Sequence, residues 1–100
     1  MKIVAIMTDL MDRSRVSAAV PDATFTTDPA ACANADVVVI DLARHASAVA
    51  AVRVAAPGAR IVAFGPHVDD ELLAGAGRDG ADAVLPRSRF FQDPAAALSP

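Results

Sequence analysis

The most continuous apolar segment of the chain, Ala35 to Leu42 (ADVVVIDL), is a run of β-branched residues set between two carboxylates, Asp36 and Asp41. A run with no polar side predicts a strand buried on both faces, inside a sheet that carries helices on each side. Lys2 to Met7 and Arg60 to Phe64 share the pattern and predict neighbouring strands. Ala83 to Leu85 is a shorter fifth run, and Ala23 to Thr27 alternates and is rich in Thr, which suits a sheet edge. Between them the pattern turns helical. Met11 to Ala19 is closed by Pro21, and Asp9 or Asp12 can accept backbone N–H groups at its start. Asp28-Pro29 opens a short second helix to Ala33. Ala46 to Ala56 stops at Pro57-Gly58, and Val68 to about Gly77 carries Asp69, Asp70 and Glu71 where carboxylates oppose the helix dipole. Asp93-Pro94 caps a last helix of a turn or two, and only the Ser99-Pro100 end reads as irregular.

Strand and helix therefore alternate through residues 1–100 as a single domain with shortened helices 1, 2 and 5. Right-handed crossovers convert that alternation into an α/β fold, a doubly wound parallel five-stranded sheet of order 2-1-3-4-5. That order brings the ends of strands 1 and 3 together at the carboxyl edge, where open sheets of this kind bind ligands. Asp41, at the end of the central strand, is the first candidate for chemistry. Thr8 and Asp9 are expected on the same crevice, with Gly65 and Arg87 on its flank.

Composition narrows the function classes. Ala, Val, Leu and Ile must build the core, because hydrophobic residues make up 54% of the chain while Phe occurs four times and Trp and Tyr not at all. A formal charge of −3, with Lys and Arg scattered along the sequence, gives no basic stripe and argues against nucleic acid as a partner. The first apolar run breaks after Met7, too early for a signal segment or a membrane span, so a soluble cytoplasmic protein with no membrane partner is expected. Cys32 is the single cysteine, which excludes an internal disulfide and a cysteine metal cluster.

The segment RIVAFGPHVDDELLAGAGRDGADAVLPRSRF resembles the second half of a receiver domain of the two-component response-regulator family, with strand, turn, acidic helix start and GAD turn at the family spacing. DVVVIDL is similar to the strand that ends in the family's phosphorylated aspartate, and KIVAIMTDLMDR to its first strand. The resemblance implies a flavodoxin-like fold, places Asp41 at the phosphoacceptor position and puts Arg87 at the position of the family's lysine. It also implies Mg²⁺ held by an acid pair after the first strand, but those positions are Met7 and Thr8, with Asp9 one residue later. Gly65 stands where the family has a hydroxyl. Arg87 is expected to pair with Asp41 across the sheet edge and fix the crevice without phosphate.

The expectation is thus a non-enzymatic pseudo-receiver, a signalling or protein-interaction module that uses no cofactor and has lost phosphorylation. Its docking face would be the one receivers commonly use, made of the helix at 68–77, the last strand and the last helix. The alternative is a working phosphoacceptor with Mg²⁺ on Asp9 and Asp41, and a weaker one is a small-ligand-binding domain. His45, His67, Asp69 and Asp70 are metal-binding types without ligand spacing, no G-x-S-x-G surrounds any serine, and the glycines of GAGRDG end a helix instead of opening one. Phe90 and Phe91, adjacent beside a short last helix, are the interface candidates. They predict a protein partner or a two-fold homodimer.

Overall fold

The computed structural model describes residues 1–99, so the expectation for Pro100 lies outside the described residues. Five parallel strands, β1 (Ile3–Ile6), β2 (Thr24–Thr26), β3 (Val37–Asp41), β4 (Arg60–Gly65) and β5 (Ala83–Pro86), form one sheet in the order β2-β1-β3-β4-β5. The central register pairs Ile6 with Ile40 and Asp41 with Phe64, so the ends of β1, β3 and β4 share one edge. This is the flavodoxin-like arrangement that the alternation predicts.

Successive residues of a strand point to opposite faces, and both faces are apolar. Val4, Ile6, Val38, Ile40, Ile61 and Ala63 pack beneath α2 (Leu42–His45), α3 (Ala48–Ala55) and α4 (Asp70–Arg78), with Leu42, Val49, Val52 and Ala76 among the helix residues. Ile3, Ala5, Val37, Val39, Val62 and Phe64 pack beneath α1 (Leu10–Ala19), α5 (Arg87–Gln92) and α6 (Pro94–Leu98), which supply Val16, Phe90 and Leu98. All four phenylalanines lie on this second face, while the first is closed by aliphatic and small side chains.

Four helical expectations change. The segment after Asp28 is a single 3₁₀ turn, Pro29–Cys32, because Asp28 caps Ala30 N–H and the chain must enter β3 within a few residues. The helix expected over Ala46 to Ala56 runs over Ala48–Ala55 as α3, and an additional turn, α2, capped by Asp41, precedes it. Arg87 to Gln92, to which the sequence pattern assigns no element, is the helix α5, and the last element α6 follows it after a break at Asp93. The helix at Asp70–Arg78 starts two residues later than expected, with Asp69 as its cap on Leu72 N–H at 3.1 Å.

Candidate functional site

The carboxyl edge gathers Met7, Thr8 and Asp9 after β1, Asp41 and Arg44 after β3, and Gly65 at the end of β4. Each is fixed by an ordinary local cause. Asp9 leaves the strand in extended conformation and accepts Asp12 N–H at 3.0 Å, which starts α1. That backbone bond is the first cause holding its carboxyl below the usual value, with Arg44 and Arg87 adding positive charge nearby. Asp41 repeats the motif, accepting Ala43 N–H at 3.1 Å and starting α2 directly.

Asp41 is only 1% exposed. Its second oxygen faces Arg44 Nη1 at 3.4 Å, and Arg44 Nη2 lies 3.7 Å from the Asp9 carboxylate. Arg44 thus stands between the two acids a metal would need. Being 52% exposed, it holds neither tightly. Thr8 Oγ1 and His45 Nε2 lie 3.3 Å apart above this pair. Met7 is buried in the core and offers only a thioether.

Gly65 closes the crevice from the other side. A Cβ there would stand 3.2 Å from Leu73 Cδ2 and 3.3 Å from Leu42 Cβ, so any side chain at this position presses on two leucines that must give by a few tenths of an ångström. The residues do not fit a magnesium site. The acid-pair positions are a buried Met and a Thr, and the two remaining carboxylates are engaged by backbone N–H groups and Arg44. Among the described residues no group of three or more His, Cys, Asp or Glu could hold a metal ion.

Arg87 does not pair with Asp41. Its guanidinium forms a two-pronged pair with Asp12, Nη1 donating to Oδ2 at 2.8 Å and Nη2 to Oδ1. Asp12 is 1% exposed, so a buried carboxylate with both oxygens free outcompetes Asp41, whose oxygens are taken by its own helix. The hydrogen bonds to Asp12 raise the Arg87 pKa above its usual value, and Asp41 contributes only through more distant charge. Arg87 also lies over the Phe91 ring at 4.8 Å. The pairing spans 75 positions and leaves no sequence signal beyond an acid facing inward from α1 one turn after its cap.

The aromatic pair divides. Phe90 is fully buried, stacked on Phe64 with centroids 4.7 Å apart, and cannot form an interface. Phe91 is half-buried, edge-on to both Phe64 and Phe90, with Arg15 at 5.4 Å from its ring. Of the two interface candidates only Phe91 keeps some exposure, and its ring is partly covered by the guanidinium groups of Arg15 and Arg87. Arg44, Leu42, Leu73 and Asp12 are the residues of this region that sequence reasoning missed. Arg44 carried a signal in its i, i+3 spacing from Asp41, and Asp12 a weaker one in its place one turn into α1; the leucines carried none.

No family model matches the chain, and no curated protein sequence matches it. Solved structures do. A response regulator from Burkholderia pseudomallei, described with a phosphorylated aspartic acid, calcium ion and citrate, superposes with a TM-score of 0.79 at 17% identity; the match covers 98% of this chain and 66% of that one. The BeF3-activated DrrB receiver domain gives 0.77 at 17% identity over 95% of this chain and 91% of its own. A CheY-like protein (tadZ) from Pseudomonas aeruginosa PAO1 gives 0.76 at 17% identity over 96% and 94%. The fold is that of receiver domains.

Proposed function

We propose that this receiver-fold chain is a non-enzymatic signalling or protein-interaction module that does not take up a phosphoryl group at Asp41 and needs no metal cofactor. The observation that carries this reading is the state of the Asp41 carboxylate, 1% exposed with one oxygen on Ala43 N–H and the other on Arg44. Phosphoryl transfer requires an oxygen in line with the incoming phosphorus and a cation to neutralise its charge. Arg44 supplies one positive charge between Asp9 and Asp41 but no coordination sphere. Gly65, crowded by Leu42 and Leu73, supplies no hydroxyl.

A module of this kind acts by being bound, in the cytoplasm, by another protein or by a second copy of itself. No described helix is long and apolar enough to cross a membrane. Phe91 is the remaining aromatic candidate for such a contact, since Phe90 is interior.

Incubation with acetyl phosphate and Mg²⁺ followed by intact-mass measurement tests the reading. The expected spectrum is unchanged. A mass gain of one phosphoryl group that disappears in Asp41→Ala would establish the competing phosphoacceptor role for Asp41. Sedimentation of the wild type against Phe91→Ser tests self-association separately, and a dimer indifferent to that substitution removes Phe91 from the interface.

A further inference from the structure

The arginines scattered along the sequence are not scattered in space. Arg13 and Arg15 on α1 and Arg87 and Arg89 on α5 belong to one face, where Arg13 covers the Phe25 ring at 4.8 Å and Arg15 and Arg87 flank Phe91. Only Asp12 offsets them by pairing, leaving a local charge of +3 from four arginines and one carboxylate. The rest of the chain holds the other five cations and the other eleven carboxylates, a charge of −6.

A groove of about 640 Å³ opens on this face, lined by Arg15, Ser88, Arg89, Phe91 and Gln92. A second, of about 360 Å³, shares Arg89 and Gln92 and runs on between β5 and α6 to Arg60, with Leu85 and Ala97 as apolar walls. Arg60 is the telling residue. Its Nε is shut off from solvent and is the one buried side-chain nitrogen or oxygen without a hydrogen-bond partner among the described residues. A guanidinium N–H sealed away from water without an acceptor is costly, and the cost falls when an anion reaches the same guanidinium. Asp93, which lines this second groove, is committed to capping Ala96 N–H at 3.1 Å, and Asp82, near enough to feel the charge of Arg60, is committed to Arg53 and the Ile61 N–H.

We infer that this trough is a docking site for an acidic, extended segment of a partner protein, with small apolar residues between its carboxylates. Guanidinium forks match carboxylates in geometry and charge. β5 is the last strand of the sheet, so its outer edge can accept an added strand up to Pro86. An extended segment repeats its side-chain direction about every 6.6 Å, which spaces carboxylates along the trough and turns the side chains between them away from it. A nucleic-acid strand fits less well. The Phe91 ring is flanked by guanidinium groups and not open for base stacking, and beyond the trough a continuous phosphate backbone meets a surface of net negative charge within a Debye length of about 10 Å. The site is independent of Asp41 and goes beyond the reading above.

The test is fluorescence anisotropy of a labelled peptide alternating glutamate and valine, at about 0.15 M salt. Saturable binding is expected, weakened roughly tenfold by Arg89→Gln and by Arg60→Gln, as for loss of one charged hydrogen bond. Circular dichroism establishes that each variant is folded. Arg89 and Arg15 are exposed, so their glutamine variants carry the test if Arg60→Gln does not fold. Asp41→Asn is expected to bind as the wild type does, which separates this site from the phosphoryl question. Absence of saturable binding, equal binding of the same peptide with lysine for glutamate, indifference to the arginine substitutions, or displacement of the peptide by oligothymidylate at lower concentration each overturns the inference.

Discussion

The two ends of the sheet are each held by an arginine, and the two are held differently. At the amino end Arg53 donates to the carbonyls of Gly80, Ala59 and Pro57 and to Asp82 at 2.7 Å, while Asp82 also accepts Ile61 N–H at 2.8 Å. The joint ties α3, the β4 start and the turn before β5 together. It also fixes Gly80, whose φ of +117° and 3.0 Å clearance to Arg53 Cγ leave no room for a side chain. At the carboxyl end Arg44 touches Asp9 and Asp41 only at 3.7 and 3.4 Å and remains half in water. Residue type does not distinguish a structural joint from a place for chemistry; saturation and burial do. By that measure Asp41, capped and covered, belongs with the joints, and Arg60, whose Nε is sealed without an acceptor, does not.

This contrast can be broken most forcefully at Arg87. Arg87→Ala leaves the Asp12 carboxylate buried without its partner and is expected to lower the unfolding free energy by roughly 3 kcal/mol, the low end for a broken buried pair because Arg87 itself is partly exposed. Urea denaturation measures it, and a loss below about 1 kcal/mol would show that Asp12 rehydrates instead. Arg53→Ala removes a donor shared by three carbonyls and Asp82 and should cost about 2–3 kcal/mol in the same measurement.

Gly65→Thr sharpens the comparison at the carboxyl end. The added atoms meet Leu42 and Leu73, so a destabilisation of about 1–3 kcal/mol is expected. A neutral or stabilised variant would mean that the leucines yield and that the crevice can open. The smallest effect is a pH dependence at the amino end. The Ile61 N–H bond, followed by Arg53, holds the Asp82 carboxyl below its ordinary 3.8. A depressed carboxylate adds stability above its unfolded pKa, and this is lost as pH falls through the folded value. Denaturation midpoints of Asp82→Asn should therefore fall more shallowly with acid than those of the wild type below about pH 4. Parallel curves would remove the Asp82 contribution.

What the sequence disclosed follows from which interactions are local. Continuous β-branched runs and Asp-Pro or Pro-Gly punctuation depend on neighbours a few positions away, and they place the five strands, their order and the capping roles of Asp9, Asp28 and Asp93. The Arg87–Asp12 pair depends on tertiary approach over 75 positions, as do the leucines against Gly65 and the gathering of arginines on one face. None of these has a period or a motif. Helix α5 was hidden for a related reason. RSRFFQ has no cap and no strong helix period, and it is helical because Phe90 must reach Phe64 across the top of the sheet.

Gly65 also fixes an order of events. A domain of this size has about 5–15 kcal/mol of stability in total, so a single step that spends 1–3 of it is a serious handicap unless something else changes first. A chain one substitution away from a hydroxyl at position 65 is therefore further away than it looks. Leu42 and Leu73 have to give by a few tenths of an ångström to admit it, and shrinking either beforehand opens a hole that nothing yet fills. Each path through single substitutions crosses a less stable neighbour, whichever residue moves first. The glycine and its two leucines act as a latch on sequence change, set by packing and not by any interaction that function would have to maintain.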